Sequence, residues 1–94
     1  MAILSNAEHT ARVIRDGVLV ELGAALYQGD AGLVTVGSRL IEIDRGLPQL
    51  DRDEPKRAEA LRLALPLIEA RLARRFGIDP ARARAAALRH AGVA

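Results

Sequence analysis

Apolar residues recur every three or four positions through most of this chain, which is the spacing of helices with one buried face. The first run is Ala7, Ala11, Ile14, Val18, Leu22, Ala25 and Leu26. Ser5-Asn6-Ala7-Glu8 precedes it in capping-box form, with Ser5 at N-cap and Glu8 reaching back from N3. The pattern predicts a helix running to Tyr27 or Gln28 and stopping at Gly29. Its second half, Val18 to Tyr27, holds Glu21 as its one charge, so the helix lacks the polar face that a surface helix carries.

The middle of the chain, 33–44, supports two readings. Leu33, Val36, Leu40 and Ile43 lie at helical spacing. The same stretch reads as a hairpin, with Val34-Thr35-Val36, a Gly37-Ser38 turn, and alternation from Arg39 to Ile43. A two-stranded hairpin with no third strand is marginal, which favours the helix.

Gly46-Leu47-Pro48-Gln49-Leu50 reads as a break and as the chain's linker, with a helical hairpin formed across it. Asp51 or Asp53 then caps a further helix, with Glu54 and Pro55 in its first turn. Leu61, Leu65, Ile68, Leu72 and Phe76 make its stripe, and Leu63, Leu67 and Ala70 widen it. Pro66 lies inside this pattern and is expected to kink or split the helix. Gly77 ends it. Asp79-Pro80 opens a last helix over about 80–91, with Arg89 and His90 suited to its C-terminus.

These elements predict an all-α domain over 1–94, a small bundle of three or four helices; the alternative is α+β with a short hairpin at 33–44. Ninety-four residues suffice for one domain without staples, and there is no Cys to make one. With Tyr27 and Phe76 as the only aromatics and eighteen alanines, the core must be built from Leu, Ile, Val and Ala. No apolar run spans a bilayer, and the opening residues lack the basic start of a signal peptide. The expected location is the cytoplasm, with no membrane partner.

Charge is unevenly spread. Residues 1–55 carry five arginines against nine acids, a net −4; residues 56–94 carry nine cations against three acids, a net +6. Such halves suit self-association, an acidic partner or nucleic acid, although solvated helix faces produce the same pattern.

Catalytic chemistry finds no foothold. His9 and His90 stand at opposite ends of the chain and begin no metal-binding pair. The acids Asp44, Asp51, Asp53 and Glu54 lack EF-hand spacing and read as helix-terminus residues. Gly37-Ser38 has no second glycine of a nucleophile elbow, and no glycine-rich loop precedes Lys56. No catalytic residue, metal or cofactor is expected, and the chain is not read as an enzyme.

One local resemblance stands out. "LARRFGIDPARARAAAL" (72–88) has Ala73 near the end of one helix, Gly77 in a turn, Ile78 after it, and Pro80 opening a second helix. It resembles a helix-turn-helix motif. The resemblance implies that 72–91 serves a DNA-binding regulator, with Arg82, Arg84 and Arg89, and with them Arg74 and Arg75, against DNA or its phosphates. The chain departs from the motif at Ala83 and Ala86, where a larger aliphatic is usual. An ordinary corner capped by Gly77 and Asp79 accounts for the same residues.

The first expectation for function is a small self-associating helical protein, an adaptor or accessory subunit of a larger assembly. Its partners would be itself, as a homo-oligomer, and another protein; nucleic acid is the alternative. The expected seam is Val18, Leu19, Leu22, Ala25 and Leu26, facing Leu61, Leu65, Ile68 and Leu72 in the core or across the interface. A third option, a module for a small apolar ligand, has no specific residues to support it.

Overall fold

The computed structural model describes residues 5–92. The expectation about a signal peptide falls on residues 1–4, outside that range. Four helices follow one another: α1 (Asn6–Leu22), α2 (Asp30–Asp53), α3 (Pro55–Phe76) and α4 (Pro80–His90), with a 3-10 turn over Gly23–Tyr27 between the first two. No strand occurs among the described residues. The all-α expectation therefore holds, and 33–44 is helix rather than hairpin. Leu33, Val36, Leu40 and Ile43 are all buried, so the packing of that face decides the conformation.

The local caps behave as their chemistry requires. Ser5 accepts from the Glu8 N–H at 3.1 Å, and Asp79 accepts from the Ala81 N–H at 3.0 Å. Gly77 closes α3 in the left-handed region at φ 65, and Ile78 beyond it donates to the Leu72 carbonyl at 2.9 Å.

Three expected breaks fall elsewhere. α1 stops at Leu22, because Gly23 takes φ 46 and turns the chain into the 3-10 segment six residues before Gly29. The expected linker at 46–50 is helical, and α2 runs unbroken through Gly46 and Pro48. The stop comes instead at Glu54, which Pro55 pushes to an extended conformation (φ −143, ψ 73). Asp51 and Asp53 consequently end α2 rather than cap α3. Pro66 does not split α3, which spans 22 residues. Pro48 and Pro66 both lie on exposed sides of their helices, where the carbonyl that each leaves unbonded faces water.

α2 and α3 are the inner helices, with α1 packed chiefly on α3 and α4 chiefly on α2. Glu8, Ala11 and Arg12 of α1 line a cleft with Leu63 and Leu67, and farther along Tyr27 meets Phe76, so α1 and α3 run parallel. α2 returns antiparallel to α3 from the turn at Glu54, and α4 lies against the other side of α2. One cluster of buried apolar residues runs through all four helices, including Val18, Leu22, Val36, Leu40, Ile68, Leu72 and Ala83. Alanines occupy the tightest places: Ala11, Ala58, Ala64 and Ala83 are fully buried. On the α3 stripe, Ile68 and Leu72 are buried, but Leu63, expected to widen the buried face, is 40% exposed.

The assembly is flat. Its extents are 40 × 32 × 18 Å and its radius of gyration is 13.8 Å, against about 12 Å for a compact domain of this length.

Candidate interaction surface

α1 turns Ala11, Val18 and Leu22 into the core. At 100° per residue, the opposite side of the same helix carries Val13, Gly17 and Val20. Val13 is 58% exposed and Val20 is 80% exposed, and nothing lies within 4 Å of where a Cβ on Gly17 would stand. Thr10 continues the strip toward the N-terminus and is also exposed. The outward side of the helix thus carries Val13, Gly17 and Val20 together with Asn6 and His9, and the charged residues lie between the two faces, with Glu8, Arg12, Arg15 and Asp16 on one flank and Glu21 on the other.

Of the five residues expected at a seam, Val18, Leu22, Ala25 and Leu26 are buried by the chain's own helices, and Leu19 is half-buried against the same core. Leu61, Leu65, Ile68 and Leu72 meet them there. The missing polar face was legible in the sequence. Which apolar face looks outward was not, because both carry apolar residues and only the position of α3 distinguishes them.

Beside this strip the fold leaves a groove between α1 and α2, floored by Ile14, Val18, Ile43, Leu50 and Leu61, with a volume of about 490 Å³. Arg39 crosses its rim, lying 3.2 Å from Glu21 and 3.3 Å from Glu42, while its Nε is buried without a hydrogen-bond partner.

The five arginines expected to face nucleic acid divide into two groups. Arg84 is committed within the chain: its Nε and Nη2 reach the two Asp44 oxygens at 2.9 and 3.1 Å, and its Nη1 reaches Glu69 at 2.6 Å. The hydrogen bonds to Asp44, then to Glu69, hold its pKa above the ordinary arginine value against the effect of burial. Arg82 bonds Asp30 at 3.0 Å on the surface. Arg74, Arg75 and Arg89 are exposed and have no ion-pair partner among the described residues. Asp51 likewise pairs with Arg62. Much of the charge asymmetry between the two halves is therefore matched when α2 folds against α3 and α4.

The segment resembling a helix-turn-helix motif forms a corner. α4 makes its main contact with α2, through Ala83 and Ala87 against Gly37, and only a slight one with α3. Of the two positions that depart from the motif, Ala83 is explained by that packing, being fully buried against α2 with no room for a larger side chain, whereas Ala86 is only partly buried.

Among the described residues no group of three or more His, Asp or Glu is placed to hold a metal ion, and no helix is long and apolar enough to cross a membrane. No protein-family model, curated protein or solved structure gives a significant match to the chain.

Proposed function

We propose that this chain is a self-associating helical interaction protein, an adaptor or accessory subunit, and that its contact surface is the outer face of α1. The observation that carries the reading is the exposure of Val13 and Val20 on the side of α1 opposite the core. A helix in a finished monomer places polar residues there.

The experiment is light-scattering mass across a concentration series, for the wild type and for Val20→Glu. Because Val20 touches little in the monomer, the variant keeps its melting temperature as a monomer while losing the oligomer. A wild type that is monomeric at every concentration rejects self-association; an unchanged oligomer in Val20→Glu rejects this face.

A second reading, nucleic-acid binding, rests on Arg74, Arg75 and Arg89, whose guanidinium groups are exposed and unpaired among the described residues. With no Trp and one Tyr, the chain absorbs little in the near ultraviolet. Co-eluting nucleic acid that high salt removes would favour that reading in the same experiment.

A further inference from the structure

We infer that the chain's nucleic-acid partner is a single strand, with a base stacked on Tyr27 and the neighbouring phosphates held by Arg74 and Arg75. The inference rests on the nucleic-acid reading above and gives it a strand class and a site.

The fold spends the arginines that a duplex reader would need. In a helix-turn-helix arrangement the second helix enters the major groove. Here that helix is α4, and two of its arginines are engaged inside the chain: Arg84 bonds Asp44 and Glu69, and Arg82 bonds Asp30. Arg89 stands at the far end of α4. The cations left open at the corner are Arg74 and Arg75, in the last turn of α3, both exposed and without an ion-pair partner among the described residues.

Those cations sit beside an open aromatic ring. Tyr27 is 79% exposed. It meets Phe76 edge to face, with ring centroids 5.5 Å apart and planes at 82°, and Phe76 follows Arg75 directly in α3. The aromatic pair thus holds Tyr27 at the end of α3 without covering it. Tyr27 and Arg75, about 48 positions apart in the chain, line one cleft of about 390 Å³ whose apolar wall is the buried Leu26, Leu33 and Ile78. Two acids share the cleft, and each is already answered. Asp30 is paired with Arg82 at 3.0 Å, and Asp79 caps α4 by accepting from the Ala81 N–H at 3.0 Å. Arg75 remains as the uncompensated charge. An open ring, an apolar wall and a free guanidinium are what a single strand requires: the ring takes the face of a base and the guanidinium pairs with a phosphate. A duplex cannot use the ring, because its bases already stack on one another.

Tyr27 is the only tyrosine and there is no tryptophan, so its emission reports the site directly. Titration with a short single-stranded oligothymidylate is expected to quench that emission, and a duplex of the same length to leave it unchanged. Anisotropy of the dye-labelled oligothymidylate gives the affinity. Tyr27→Ala raises the dissociation constant about tenfold, Tyr27→Phe keeps it within about twofold, and neither alters the salt dependence. Arg74→Glu with Arg75→Glu abolishes binding. Because the Tyr27 ring is exposed, both Tyr27 variants keep the wild-type melting temperature. Equal affinity for the duplex, or Tyr27→Ala without effect on salt-sensitive binding, overturns the stacking site while leaving the nucleic-acid reading standing. Absence of salt-sensitive binding to either form removes the reading and the site together.

Discussion

Gly37 of α2 and Ala83 of α4 bring their backbones together: a Cβ added to Gly37 would stand 1.8 Å from the Ala83 carbonyl oxygen. This contact sets the distance between the two helices, and no side chain at 37 fits without moving α4. Gly37→Ala improves intrinsic helix propensity by about 1 kcal/mol, so a simple helix would gain. Here the clash is with backbone, and a net loss of about 2 kcal/mol is expected. Urea unfolding followed by circular dichroism measures it; a stabilised variant would mean that α4 does not pack on Gly37.

Arg84 ties α4 to both α2 and α3. Removing its guanidinium leaves Asp44 and Glu69 facing each other with no cation between them. The side chain is 24% exposed, which tempers the cost, and Arg84→Met is expected to lose about 1–2 kcal/mol, or about 4–16 °C of melting temperature. Arg84→Lys restores little, because a point charge cannot bond both Asp44 oxygens and Glu69 together. For the same reason Arg84 is unsuitable for testing nucleic-acid contact. Arg74→Glu with Arg75→Glu is the clean variant, expected to keep the fold and to abolish any salt-sensitive binding.

Leu19 and Val20 are neighbours turned to different sides of α1. Leu19 packs against the core, whereas Val20 is open to solvent. Leu19→Glu is expected to cost about 1–2 kcal/mol in the monomer by replacing half-buried apolar surface with a carboxylate, the loss being tempered by Arg15 one turn away. Thermal melts at dilute concentration separate the pair: a fall for Leu19→Glu and none for Val20→Glu. Equal melting temperatures would show that α1 is not oriented as described.

Short-range chemistry was legible in the sequence and long-range geometry was not. The Ser5 and Asp79 caps, the Gly77 stop and the buried Ile68–Leu72 stripe depend on residues a few positions apart. Gly37 has a role in the sequence only in the less favoured hairpin reading, as a turn residue, because its purpose in the helix is an approach by α4, about 46 positions away. The exposed strip was half-legible. Ala11 and Val18 are seven residues apart, as are Val13 and Val20, and the sequence cannot say which set α3 covers. The arginines were over-read in one respect: Arg84 and Arg82 spend their charge on Asp44 and Asp30, pairs that only the tertiary fold creates.

Gly46 and Pro48 mark the clearest divergence, and Gly46 offers a decisive variant. Taken as a linker, Gly46 would need conformational freedom, and replacing it would do nothing or harm. In the structure it lies within α2, beside the buried Ile43, and a Cβ there meets no atom within 4 Å. The apolar positions Leu40, Ile43, Leu47 and Leu50 keep helical spacing across it, so packing holds the segment despite two poor helix formers. Gly46→Ala should therefore stabilise the protein by about 1 kcal/mol, since it removes backbone freedom from the unfolded chain without strain in the folded one. Urea unfolding of the variant, with its helical signal unchanged, is the measurement. A destabilised variant would mean that residue 46 departs from helical geometry, and the continuous α2, with the groove that it walls, would have to be redrawn.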